Sequence, residues 1–224
     1  MTTSAFPFLP SRRDLLAGAA ALTLAGGLGL AASAPAMAQA ATPTVDQLMA
    51  PGALPDLWIG DAKAPVTIIE YASMTCGHCA TFHTVSFPEL KKKYIDSGKV
   101  RFVLREFPLD PLAAAAFMLA RCSGDDKREA VVSLLFAQQR GWIATDKPLE
   151  ALTGLMKQTG MSEEKFKACL SDREMYQNVN KIRERADKQF GVNSTPTFFI
   201  NGKRENGDMT PAQLDKVLEP LLPK

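Results

Sequence analysis

The sequence predicts an α/β fold running strand, helix, strand, a long helical block, a hairpin and a final helix. Three observations predict it. Short β-rich apolar runs occur at 66–71 and 197–200, each directly after a proline, Pro65 and Pro196. From about 111 to 190 the apolar residues recur at helical spacing, with no strand pattern. Two cysteines, Cys76 and Cys79, stand two residues apart where the first strand should give way to a helix.

The first forty residues do not read as part of that fold. Arg12 and Arg13 precede an apolar run rich in Ala, Gly and Leu, and the small-residue patterns Ala36-Met37-Ala38 and Ala38-Gln39-Ala40 follow. Charged, apolar and small-residue regions in that order are the layout of a secretory signal peptide. The stretch from Ser11 to Leu16 resembles a twin-arginine export signal. Residues 1–40 are therefore expected to be a signal peptide cut after Ala40, with Ala38 as the second choice. The alternative is a retained membrane anchor, against which the diluted hydrophobicity and the cleavage patterns count. Loss of the segment removes Arg12, Arg13 and Asp14 and takes the net charge from +2 to +1. A nearly neutral domain gives no reason to expect nucleic acid or an anionic membrane surface as partner. No later segment is apolar enough to span a membrane, so the expected compartment is a bacterial periplasm, where disulfides persist.

Residues 41–56, with Pro43, Pro51 and Pro55, read as a flexible lead-in to one domain over 57–224. The run 66–71 reads as a buried strand. Residues 77–96 read as helix, with Phe82, Val85, Leu90 and Tyr94 as apolar positions, Pro88 kinking or breaking it and Gly98 ending it. A second strand spans 100–107. Helices are expected over 112–121, 126–140, 148–159, 162–170 and 173–190, an insert of about 111–190. Asn201-Gly202 then signals a tight hairpin, because both central residues of the favoured turn need positive φ, with a partner strand over 203–205. Thr210 as N-cap and Pro211 at the first helical position start the last helix.

The chemistry is expected at Cys76-Gly77-His78-Cys79. A thiolate is the reactive form of cysteine. A helix N-terminus offers it unpaired N–H groups and partial positive charge. One turn later, Cys79 can reach Cys76 and expel a bound partner. The ring of His78 is expected to stabilise the Cys76 thiolate further. A C-x-x-C pair also begins many zinc sites, and His83 lies four residues after Cys79. A metal site of Cys76, Cys79 and His83, with His78 or a distant cysteine as fourth ligand, is the competing reading. Position at a strand end and the late Thr195-Pro196 favour redox chemistry with no metal. His83 then reads as a helix-surface or packing residue.

Three segments, 70–79 around the cysteines, Arg105-Glu106-Phe107-Pro108-Leu109-Asp110, and Ser194 to Gly202, together resemble the DsbA-like family of periplasmic thiol–disulfide oxidoreductases, from about Leu57 to the C-terminus. The resemblance implies a thioredoxin-like fold with an inserted helical subdomain. It also implies that Pro196 is cis and lies against the active-site cysteines, and that Thr195 presents its backbone to an extended substrate segment. Glu70 matches a buried acidic residue of the family, with a suggested role in proton exchange with Cys79; a solvent-facing or salt-bridged carboxylate is the alternative. The central pair Gly-His departs from the Pro-His usual in the best-known oxidases and matches eukaryotic protein disulfide isomerase.

Cys122 and Cys169 both fall in the helical block, and in an oxidising compartment they are expected to form a structural disulfide, the alternative being two buried thiols. Met74, Thr75 and Phe198 are candidates for substrate contact or for packing. The expected activity is introduction of disulfides into reduced exported proteins, by a monomer with no cofactor beyond the Cys76–Cys79 disulfide. The resemblance implies a DsbB-like membrane quinone reductase as reoxidising partner. A disulfide reductase or isomerase is the alternative, and a periplasmic metal-binding protein comes third.

Overall fold

The computed structural model describes residues 42–223, so the expected signal segment lies outside the described residues. In chain order the elements are α1 (Val45–Met49), β1 (Val66–Ala72), α2 (Gly77–Thr81), α3 (Phe87–Leu90), β2 (Val100–Glu106), α4 (Pro111–Cys122), α5 (Asp125–Ala137), α6 (Gln139–Ile143), α7 (Pro148–Gln158), α8 (Glu163–Leu170), α9 (Arg173–Phe190), β3 (Thr197–Ile200), β4 (Lys203–Asn206) and α10 (Pro211–Leu218). The sheet has the order β2-β1-β3-β4, with β1 parallel to β2 and antiparallel to β3, and β3 antiparallel to β4. Ile59 closes the outer side of β2 through reciprocal backbone bonds with Phe102, both 2.8 Å.

Strand alternation divides the core. Val66 and Ile68, with Phe102 and Phe198, face a layer made by the helix after Cys76 and by α10. Ile69 and Tyr71, with Val103 and Phe199, face α1 and α9. Glu70, two residues after Ile68 in β1 and paired with Phe198 of β3, points toward the first layer. That register decides what the carboxylate meets.

The expected helix over 77–96 forms, but not as a plain α-helix. Five-residue π-type segments, at 82–86 and 91–95, alternate with α2 and α3. Pro88, at the start of α3, follows the first of them. The looser turn therefore accommodates the missing N–H, and the proline does not break the helix. Val85, expected on the apolar face, is half exposed at 55%. The buried positions are Cys79, Phe82, His83, Ser86, Phe87, Leu90, Tyr94 and Ile95, and Val85 falls outside them.

The lead-in over 41–56 is not loose throughout. Thr44 and Gln47 form a capping box for α1. Leu48 is buried. The Arg185 guanidinium of α9 donates to the carbonyls of Gln47, Ala50 and Pro51 at 2.9, 3.0 and 2.7 Å. Those bonds satisfy carbonyls that a short helix cannot pair internally. Helices α4–α9 fill the expected insert, and their apolar faces join Met74 and Cys79 in one core cluster. No helix among the described residues is long and apolar enough to cross a membrane.

Candidate active site

Cys76 is the N-cap of α2. Its Sγ accepts the Cys79 N–H at 3.3 Å, as an N-cap side chain does. The two cysteines are an unbonded dithiol, both buried, and only Cys76 retains a little surface. The Cys76 Sγ–H donates to the Thr195 carbonyl at 3.3 Å. The Thr195-Pro196 peptide bond is cis.

The pair is strongly asymmetric. Cys76 is lowered from 9.0 to about 5, first by the hydrogen bond from the Cys79 thiol, then by the Thr195 side chain and the backbone N–H groups of Cys79 and His78, against the opposing effect of burial. Cys79 is pushed far above the ordinary thiol range. Burial is the largest cause, followed by its bond to Cys76 and the charge of Glu70. One sulfur is a ready anion and its neighbour holds its proton.

The segment before Cys76 is held from two directions. Thr75 Oγ1 donates to Asp110 at 2.6 Å, and Asp110 also caps α4 through the Ala113 N–H. From the helical insert, the buried amide of Gln139 donates to the carbonyls of Met74 and Cys76 at 2.8 and 2.9 Å. Gln139 carries no motif, so sequence reading missed it. It stands in the polar stretch Gln138-Gln139-Arg140, which gives no signal that one of the three is buried.

His78, one residue before Cys79, stands at the surface. Its ring is largely exposed, with Nδ1 3.5 Å from an Asp208 carboxylate oxygen. The His78 backbone N–H is among the groups that lower Cys76. Met74 and Phe198, considered for substrate contact, are buried in the core.

Glu70 is fully buried, and its Oε2 lies 2.8 Å from Nε2 of His83, itself buried. His83 stacks on Phe136 at 4.3 Å between ring centroids. The imidazole is therefore committed to Glu70 and is not brought together with the cysteines. Among the described residues, no group of three or more His, Cys, Asp or Glu is arranged to hold a metal ion. In the insert, Cys122 at the end of α4 and Cys169 in α8 are bonded, with a Cα–Cα separation of 6.2 Å.

Residues 53–220 match the family model described as Thioredoxin. A Rickettsia conorii protein named as a protein-disulfide oxidoreductase is 37% identical over 172 residues, covering 73% of this chain and 61% of that protein. The chain thus spans about three fifths of the length of that rickettsial relative. A disulfide bond formation protein D of Bacillus anthracis is 28% identical, covering 74% of this chain and 78% of that one. The crystal structure of Wolbachia pipientis alpha-DsbA1 superposes with a TM-score of 0.73 at 31% identity, covering 80% of this chain and 96% of that chain. With a C-x-x-C pair capping a helix, a cis-proline against it and a helical insert in the sheet's connection, the chain belongs to the thioredoxin family, in its DsbA-like group.

Proposed function

We propose that the chain is a thiol–disulfide oxidoreductase that introduces disulfide bonds into reduced exported proteins. The observation that carries this reading is the asymmetry of the pair: Cys76 is lowered to about 5, while Cys79 is raised by burial. An ordinary thiol is protonated at pH 7, so the reduced form gains the two units between pH 5 and pH 7. That is about 3 kcal/mol, or ~60 mV for a two-electron couple. Stabilising the dithiol form makes the disulfide form an oxidant.

In the reaction a substrate thiolate attacks Cys76 Sγ, the Cys76–Cys79 bond breaks and its electron pair goes to Cys79. The substrate's second thiolate then attacks the substrate sulfur of the mixed disulfide and expels Cys76 as a thiolate. Oxidised substrate leaves, and the dithiol remains. The backbone of Thr195, beside the cis-proline, is the proposed docking edge for an extended substrate segment. Glu70 is the proposed proton partner of Cys79, and Cys122–Cys169 a structural disulfide. The proposed setting is the periplasm, after removal of residues 1–40, with a membrane quinone reductase of the DsbB kind reoxidising a monomer.

The test is the equilibrium reduction potential of Cys76–Cys79 against glutathione, with Cys122 and Cys169 replaced by Ser. A value well above the glutathione poise is expected. A value at or below it would move the assignment to a reductase or isomerase, a direction in which Gly77 also points.

A further inference from the structure

The turn that leads into Cys76 is built around a buried serine. The Ser73 carbonyl accepts the Cys76 N–H at 3.1 Å, and a backbone hydrogen bond from Ser73 opposes the rise at Cys79. Ser73 Oγ accepts the N–H groups of Thr75 at 3.4 Å and of Leu109 at 3.2 Å, so one hydroxyl ties the β1–α2 turn to the β2–α4 turn. Thr75 Oγ1 lies 3.2 Å from that same Oγ and 2.6 Å from Asp110 Oδ2. A carboxylate accepts and does not donate, so the Thr75 proton points to Asp110, and the Thr75 oxygen is left to accept from Ser73. The other carboxylate oxygen, Oδ1, accepts the Ala113 N–H at 2.8 Å and caps α4. A directed chain of bonds thus runs from the residue beside both cysteines to the first turn of the helical insert. Bonds aligned in this way polarise one another, and the one to a charged acceptor is the strongest.

The Cys76 sulfur needs such a frame. Its Sγ meets the Cys79 N–H and the Thr195 carbonyl, each at 3.3 Å, and bonds of that length weaken quickly on displacement. Gly77, the next residue, has no side chain to fix the entry to α2, and a Cβ added there would meet nothing within 4 Å. Gln139 holds the carbonyls of Met74 and Cys76, the residues on either side of Thr75. Two fixed points still allow rotation about the line that joins them. The Thr75 hydroxyl supplies a third.

We infer that Thr75 and Asp110 are positioning residues for disulfide exchange: their hydrogen bond holds the Cys76 sulfur on the first turn of α2 and so sets how strong an oxidant the pair is. The inference rests on the disulfide-exchange reading above. Both residues act through Ser73 and the backbone of Cys76. The Thr75 hydroxyl, considered for substrate contact, is committed to this bond. Because Asp110 also caps α4, the start of the insert and the placing of the sulfur depend on one carboxylate.

The test reads two quantities on the full chain. One is the pH dependence of iodoacetamide alkylation at Cys76, located by peptide mass spectrometry. The other is the equilibrium of Cys76–Cys79 with glutathione at pH 7. Thr75→Val keeps the shape of the side chain and removes the hydroxyl. It should move the alkylation midpoint up by about half a unit and lower the constant for reduction of the pair by glutathione about threefold, the same shift written as a ratio. Thr75→Ser keeps the hydroxyl and should give wild-type values for both. Asp110→Ala should move them as Thr75→Val does, whereas Asp110→Asn, which still caps α4 and accepts from Thr75, should recover most of the difference. Thr75→Val and Asp110→Ala together should shift them no further than either alone, because both remove the same bond. If Asp110→Ala does not fold, the comparison of Thr75→Val with Thr75→Ser decides by itself. An unmoved midpoint and constant in Thr75→Val, a shift that persists in Thr75→Ser, or shifts that add in the double variant would overturn the positioning role alone. A wild-type chain that forms no Cys76–Cys79 disulfide with oxidised glutathione would overturn the disulfide-exchange reading and the inference with it.

Discussion

At the scale of single residues, the charge on Cys76 sets the redox behaviour. With its group lowered to about 5 and that of Cys79 raised, the dithiol loses its first proton near pH 5 and keeps its second throughout the neutral range. The depressed group stabilises the reduced state. That contribution is fully present above the ordinary thiol value, shrinks as pH falls, and is gone below about 5. The reduction potential should therefore change by ~59 mV per pH unit below pH 5, where two protons accompany two electrons, and by ~30 mV above it. Redox titration across pH 4–8 measures the break. A break near pH 9 would mean that the thiolate is not stabilised by the helix start. Gln139 belongs to the same scale. Gln139→Leu leaves the carbonyls of Met74 and Cys76 without their buried donor and should cost about 1–3 kcal/mol. Because the cap geometry then loosens, the absorbance titration of the Cys76 thiolate should also move upward. A stability loss with an unmoved titration would make Gln139 a packing residue only.

At the scale of elements, the entry to α2 is built for proline although the chain has glycine there. Gly77 is the first helical residue, a Cβ on it would meet nothing within 4 Å, and Cys76 before it is extended at φ −82 and ψ 120. Both conditions suit proline at position 77. Gly77→Pro should thus stabilise the fold by about 0.4–1 kcal/mol through the unfolded chain, measured by urea denaturation of the reduced protein. A loss of stability would reveal a backbone requirement at this turn. The same elements show what the sequence made legible. The strands, the hairpin with Asn201 and Gly202 both at positive φ, and the capped start of α10 were readable because each depends on local chemistry. Position also gave Cys76 and Cys79, while a buried Glu70 was implied by the family resemblance, with a solvent-facing or salt-bridged carboxylate as the alternative. His83 was read as surface or packing. Its bond to Glu70 depends on strand register and on π-type turns around a proline, which neither a local pattern nor an even helical period reveals. The outward turn of His78 and the clamp from Gln139 depend in the same way on elements distant in sequence.

At the scale of the whole molecule, the insert both stabilises the fold and shapes the site. Cys79, Met74 and the α4–α9 residues share one core cluster, so the cysteine motif is packed against the insert as well as against the sheet. The Cys122–Cys169 bond, 47 residues apart in sequence, lies within the insert, while the carbonyl facing Cys76 comes from the loop before β3. Stability and redox chemistry should separate accordingly. Replacing both Cys122 and Cys169 by Ser frees a loop whose closure entropy is about 4 kcal/mol at 25 °C on the chain-entropy account. Strain relief and residual structure in the unfolded chain reduce what is measured, so a loss of ~2–4 kcal/mol is expected in denaturant titrations. The potential of Cys76–Cys79 should stay within a few millivolts, since none of the groups that lower Cys76 is in the bridged helices. A shifted potential in the doubly substituted protein would show that the bridge holds α4 against the active-site segment, most directly through Asp110, which caps α4 and accepts the hydrogen bond from Thr75.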